Sequence, residues 1–322
     1  MIISASRRTD IPAFYAEWFM NRVREQFLLI RNPRNTHQIK RVSLTPHDVE
    51  AIVFWTRNPK NLIPYLPQLD ALGYAFYFQY TVTGYPRCLE RSVPRPQMAI
   101  EIFHQLSDLI GAERVIWRYD PILLSNKVNF AEHKRLFEKI ARFLEGKTHR
   151  VIISFADFYT KTERNLKAVD GLSYQDITLN TTEQEELLSF MVSVAHRHGM
   201  VIQTCSEKQD FSHLGVPHGK CIDDDLLTSV FGITTRARKD KSQRDQCGCV
   251  KSVDIGVYNT CLHGCAYCYA TQNPQQAARY KEQHDPNNPF LLGPPLSKEE
   301  IQTLRKSQTI LPCLSPSLFD TF

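Results

Sequence analysis

Cys261, Cys265 and Cys268 lie in the string CLHGCAYCYA, separated by three and then two residues, with Tyr267 just before the third. Three thiolates at this spacing can hold three irons of a [4Fe–4S] cube and leave the fourth iron without a protein ligand. An open iron is where a small molecule can bind and react, whereas a structural site uses four ligands and fixes its metal completely. Zinc is the other reading of the triplet, because His263 sits inside the loop and could complete a tetrahedral set.

Four more cysteines precede the triplet. Cys205 ends a strand-like run, Cys221 follows in HGKCIDD, and Cys247 and Cys249 form a C-x-C pair. Four thiols suffice for a closed all-cysteine zinc site or a second [4Fe–4S] cluster. The neighbouring KDKSQRDQ supplies cations that would favour thiolates. Seven of the nine cysteines thus fall between positions 205 and 268, with Cys88 and Cys313 apart. Clustered thiols behind an N-terminus, MIISASRRTD, that has no apolar signal region point to metal ligation in a reducing cytoplasm rather than to disulfides.

The elements that must position these residues alternate along the chain. Strands are predicted at 2–6, 51–55, 75–82, 114–119, 150–155, 200–205 and 252–258, from β-branched and aromatic runs. Helical patterns lie between them: one from Pro12 through Phe14, Trp18, Phe19 and Val23, and others near 95–110, 130–145 and 181–198, the last opening on a Thr181-Thr182/Glu185 capping box. Such alternation predicts an α/β fold with a parallel sheet, here a partial or full TIM-type barrel. The barrel domain would span 1–278, with a cysteine-rich region at 205–270. Residues 279–322 read as an arm, rich in Pro, Asn and charge over 279–296, with a short helix capped by Ser297 and Glu300.

Polar residues gather at the C-terminal ends of the predicted strands, where barrel active sites open. Arg7, Arg8, Arg57 and Arg118 could form an anion-binding mouth, since guanidinium groups fork onto carboxylate or phosphate. Asp10 and Asp120 could pair with them, and Arg8, Asp10, Arg118 and Asp120 are the candidate catalytic residues. Asp157 and Glu207 could transfer protons or bind a ribose hydroxyl. A rim of structural ion pairs would use the same residue types.

The 322 residues, 42% hydrophobic and 23% charged, are ordinary for a globular enzyme, and a net charge of +5 permits an anionic substrate or a nucleic acid without demanding one. No apolar run reaches the roughly 18 residues of a membrane span. No P-loop, G-x-G-x-x-G, H-E-x-x-H or serine-elbow motif is present.

The string CLHGCAYC resembles the C-x3-C-x2-C motif of radical S-adenosylmethionine (SAM) enzymes, including the aromatic residue before the last cysteine. From Cys247 to Ala270, and at SASRRTDIP and FWTRNP, the chain resembles an uncharacterised bacterial family of unknown-function domains with such a C-terminal cysteine group. WRYDPI is similar to a stretch in spore photoproduct lyase-like radical SAM proteins. The resemblance implies a cluster on Cys261, Cys265 and Cys268, SAM chelating the open iron, and release of a 5′-deoxyadenosyl radical on reduction. Tyr267 would lie near the adenine, and Arg7 and Arg57 would help bind SAM. An electron donor such as flavodoxin or ferredoxin is implied, with a small-molecule or nucleic-acid substrate and no membrane. The cysteine loop follows the last strand here, not the first as in most radical SAM enzymes, so a circularly permuted barrel is expected. A G-G-E-type segment is missing, which keeps open a cluster protein that no longer uses SAM. A zinc-dependent hydrolase or lyase, and a non-enzymatic electron-transfer or nucleic-acid-binding protein, are the alternatives.

Overall fold

The computed structural model describes residues 1–32, 35–294, 296 and 300. Seven strands pair in parallel at its centre: β1 (Ile2–Ala5), β2 (Ala51–Thr56), β3 (Phe76–Thr81), β4 (Val115–Ile122), β5 (Arg150–Phe155), β6 (Val201–Thr204) and β7 (Val253–Asp254). The spatial order is β6-β5-β4-β3-β2-β1-β7. Each new strand therefore lies beside the previous one on the same side, and the last returns to pair with the first, Ile3 opposite Val253 and Ser4 opposite Asp254. β6 and β7 are the two edges of the sheet, so the fold is α/β with a parallel central sheet, and a closed ring is not formed by these pairings. All seven predicted strands are present.

Side chains alternate across a strand, so each strand serves two faces. One face carries Ile3, Ile52, Phe54, Phe76, Phe78, Trp117 and Ile153 against the helices. Helix Pro96–Ile110 buries Ala99, Ile102, Phe103, Leu106 and Ile110, the stripe expected at 3.6 residues per turn. Helix Phe130–Phe143 brings Phe137 to stack on Trp117 with centroids 4.9 Å apart. The other face carries Ile2, Val53, Tyr77, Ile116 and Ile152, and packs on Cys221, Ile222, Leu226, Leu227, Cys247, Cys249 and Val250. The cysteine-rich segment is thus a cover over one side of the sheet.

Three local expectations need correction. The first helix is split, into Ile11–Phe14 and Ala16–Arg24, because Tyr15 turns to φ −136° and its hydroxyl donates to the Thr260 carbonyl at 2.9 Å. The helix Thr181–Arg197 is capped not by Thr181 but by Asn180, whose Oδ1 accepts from the Glu183 amide. A hairpin of Phe27–Asn32 and Asn35–Ser43 was not anticipated. Residues 286–291 of the arm dock on it and on the helix before it, through the Leu29 amide to the Pro289 carbonyl and the Trp18 indole to the Asn288 carbonyl, both 2.9 Å. Ser297 and the helix expected after it lie outside the described residues. Among the described residues, no helix is long and apolar enough to cross a membrane.

Two predictions arise from this scaffold. A Cβ on Gly256, just after β7, would lie 2.0 Å from Ser6 Oγ and 2.8 Å from Thr9 Oγ1. Gly256→Ala is therefore expected to push β7 off β1, costing at least the roughly 1–3 kcal/mol of an overpacked site; a thermal melt reads it. His133 is fully buried, accepts at Nδ1 from the Tyr119 hydroxyl at 3.0 Å and donates from Nε2 to the Leu123 carbonyl at 3.1 Å. Burial pushes its pKa down to about 4. The unfolded chain then takes up a proton near pH 6.5 that the folded chain refuses, so stability is intact above that pH and falls between pH 6.5 and 4, by up to about 3 kcal/mol. In His133→Gln this component of the acid limb is expected to vanish from urea-unfolding free energies measured at pH 4.5 and 7.

Candidate functional site

The end of β7 is tied to the end of β1. The Asp254 carboxylate accepts from Ser4 Oγ at 3.1 Å, Ser6 Oγ at 2.7 Å, the Arg7 amide at 2.9 Å and Arg8 Nε at 3.2 Å. Two residues on, Thr9 Oγ1 donates to the Val257 carbonyl at 2.8 Å and meets Thr260 Oγ1 at 2.6 Å. Asn259, in the left-handed region at φ 58°, closes the cysteine loop: its amide donates to the Ala270 carbonyl at 2.9 Å and its Oδ1 accepts from the Gln272 amide at 2.7 Å. On the far side, the segment after β3 clamps the loop by backbone pairing, Ala266 amide to Leu89 carbonyl and Ser92 amide to His263 carbonyl, both 2.8 Å. Cys261, Cys265 and Cys268 are held between these two walls.

All three line a cavity of about 1040 Å³ at the C-terminal ends of the strands. Among the described residues, no three cysteine sulfurs lie within 4.8 Å of one another; that closeness is met only by Asp223, Asp224 and Asp225 at a helix start, where Asp223 is the N-cap. A tetrathiolate zinc ion would bring its sulfurs to about 3.8 Å; neither this tripod nor the set of Cys205, Cys221, Cys247 and Cys249 is drawn that close together. His263 directs Nε2 to Asp10 Oδ2 at 2.7 Å, and its Nδ1 is buried without a hydrogen-bond partner. Cys268 Sγ accepts from the Ala270 and Thr271 amides, each at 3.4 Å. Burial pushes the Cys261 thiol up, and pushes Cys265 up to about 12 against the opposing pull of Arg57. Metal binding at such thiols must release protons.

Every other residue singled out from the sequence, Glu207 excepted, lines the same cavity. Arg57 Nη1 pairs with Glu90 Oε1 at 2.7 Å, and its Nη2 reaches the Tyr267 hydroxyl, which itself donates to Glu90. Burial opposes the Arg57 charge, but Glu90, Tyr267, Cys265 and Asp120 together outweigh it and hold the guanidinium protonated. Arg118 forks onto Asp120 through Nε at 3.0 Å and through Nη2, while Ser154 donates to the other carboxylate oxygen. Arg8 is committed to Asp254. Asp10 receives the Ala13 amide at 3.0 Å, and Thr56 Oγ1, the Arg57 amide and His263 Nε2 at 2.7 Å each. It is a hub that fixes three loops rather than an open carboxylate. Arg7 differs: its Nη2 is buried with no partner, and its guanidinium lies over Trp55 at 5.4 Å, with Arg118 on the same indole at 5.0 Å. Asp157 pairs with Arg244 at the exposed rim. Glu207 accepts the Phe155 amide at 2.9 Å, and burial raises it to about 8.

The second cysteine set also converges there. Cys205 Sγ and Cys221 Sγ are 3.2 Å apart, and the Cys221 and Ile222 amides both donate to Cys249 Sγ at 3.3 Å. Arg118 Nη1 donates to Cys221 Sγ at 2.9 Å. Hydrogen bonds from Cys221 and Cys247, with Arg7 nearby, pull the Cys249 thiol down to about 2; a hydrogen bond from Cys221, then Arg118, lowers Cys205 to about 7. Sequence reasoning missed Glu90, Trp55 and Ser154. Trp55 lay inside a predicted strand and Glu90 in an ordinary polar turn, so neither carried a motif.

A family model described as "Domain of unknown function (DUF1848)" matches residues 2–270. No curated protein matches the chain. Among solved structures, one described as a "putative alpha-L-fucosidase" from Bacteroides thetaiotaomicron VPI-5482 aligns at 10% identity over 74% of this chain and 85% of that one, with a TM-score of 0.26. At that score the likeness bears on neither fold nor function.

Proposed function

The chain belongs to the DUF1848 family, whose matched span contains all seven clustered cysteines, and from that premise we propose that it is an iron–sulfur enzyme of the radical SAM type. Cys261, Cys265 and Cys268 would hold a [4Fe–4S] cluster with one iron open to the cavity. The observation that carries this reading is convergence: the tripod, Tyr267 and the arginines of three different strand ends face one cavity. A reduced cluster held there would supply the one electron that splits the SAM sulfonium into methionine and a 5′-deoxyadenosyl radical.

The protein's own residues would do the rest. Arg57, locked by Glu90, fixes the Tyr267 ring beside the loop. Arg7, with a free buried donor against Trp55, is the natural partner for an anionic group such as the SAM carboxylate. A cavity of about 1040 Å³ is large for one small ligand and suits SAM together with a substrate. Strand order without reversal, and a last strand that leads into the cysteine loop and pairs with the first, support reading the sheet as a partial, circularly permuted barrel. A cytoplasmic setting with a flavodoxin- or ferredoxin-type donor follows from the same reading.

The test is anaerobic reconstitution with iron and sulfide, then electron paramagnetic resonance of the reduced protein with and without SAM. A signal that changes on adding SAM, together with 5′-deoxyadenosine formation under dithionite, is the expected result. A protein that takes up no iron and sulfide, or a cluster signal indifferent to SAM, overturns it.

A further inference from the structure

We propose that Cys205, Cys221, Cys247 and Cys249 form a second metal centre, a tetrathiolate site for a zinc ion or an iron–sulfur cluster, facing the same cavity as the tripod. The proposal stands apart from the SAM reading of the first site. The four thiols come from three separate segments: the end of β6, the turn around Cys221, and the loop that carries Cys247 and Cys249. The segments meet within the apolar cover over the sheet, where Ile222, Leu226, Leu227 and Val250 pack around the thiols. Cys221 and Cys249 are almost fully buried, and Cys247 nearly so.

Buried free cysteine is ordinarily a small hydrophobe. These sulfurs are treated otherwise. Two backbone amides aim at Cys249 Sγ, and a buried guanidinium aims at Cys221 Sγ. Such donors serve a sulfur that carries negative charge. Four thiolates around a zinc ion, or around an oxidised [4Fe–4S] core, leave a net charge of about −2. Two arginines, Arg7 and Arg118, stand beside the group to meet it, each over the same Trp55 ring. A disulfide between Cys205 and Cys221, whose sulfurs are 3.2 Å apart, would leave Cys249 with its two amide donors and no covalent partner. All four cysteines line the same cavity as the tripod, so a metal there would border the space between the two sites.

The experiment is metal and sulfide analysis of the full chain carrying Cys261→Ala, Cys265→Ala and Cys268→Ala, isolated anaerobically. The expected result is retention of about one zinc, or about four irons with matching sulfide, per chain, and the two contents identify the centre. Adding Cys249→Ser should abolish it. Should that variant fail to fold, Cys205→Ser on the same background replaces the least buried ligand and is expected to shift the charge-transfer band of the cobalt-loaded protein, or the cluster signal. A tripod-less protein that folds and holds no metal, with all four thiols titrating freely, overturns the second centre while leaving the first untouched. Equal metal in the tripod-less and native chains would instead sink the first and uphold the second.

Discussion

Cys265→Ala protein, reconstituted anaerobically, is expected to lose the SAM-dependent change in the cluster signal and to form 5′-deoxyadenosine more slowly by over 100-fold, beyond the roughly 10–100-fold that changes outside the ligand set cost. Cys265 sits where the loop bridges to the segment around Glu90, and it lines the cavity. Removing it leaves two thiols, too few to leave a single iron open on a cube. The backbone pairing of Ala266 to Leu89 needs no cysteine side chain, so the fold is expected to survive, and the melting temperature of the metal-free variant should match the parent's within a few degrees. Cys88→Ala is the control: Cys88 is exposed and outside the cavity lining, and its removal should change neither readout. Wild-type rates in the Cys265→Ala protein would remove the tripod from the chemistry.

The seven strands were legible because each is a short run of Ile, Val, Phe, Trp or Tyr bounded by polar turns, and burial on both faces leaves such runs nearly continuous. Ile2 and Ile3 show why: adjacent residues serve opposite faces of the same sheet, and both are buried. The cysteines were legible because their chemistry is unusual and their spacing short. What the sequence hid was mostly pairing over long range. Glu90 becomes a site residue only because the turn carrying it folds back against Cys265, 175 positions away in the chain. Asp10 read as a candidate catalytic residue paired with the arginines because the donors that occupy it come from Thr56, Arg57 and His263 as well as its own turn. The hairpin at 27–43 mixes Leu and Ile with Arg, Asn and Lys, and is completed by the distant Pro289 and Phe290. No local pattern states that partner.

Arg57→Met is expected to destabilise the metal-free protein by about 3–5 kcal/mol, the usual cost of stranding one member of a buried ion pair. Glu90 is 4% exposed, and it collects Arg57, the Tyr267 hydroxyl and the Thr83 hydroxyl on one carboxylate oxygen. Without the guanidinium that carboxylate keeps two neutral donors but loses the positive charge that offsets its desolvation. Glu90→Gln should cost less, because an amide oxygen still accepts from all three donors and no charge is stranded on the acid side. The double variant, Arg57→Met with Glu90→Gln, should recover part of the loss, since the unpaired anion is then gone. Linear extrapolation of urea unfolding orders the three. The same set separates support from chemistry. If Arg57 only positions Tyr267, the double variant regains stability yet leaves the ring unanchored, so its SAM-dependent signal stays impaired. If it binds SAM directly, raising the SAM concentration should restore the signal in Glu90→Gln, where the guanidinium remains, and not in Arg57→Met. An Arg57→Met protein as stable as its parent would mean that Glu90 is not held by this pair, and the account of how the Tyr267 ring is fixed would fail with it.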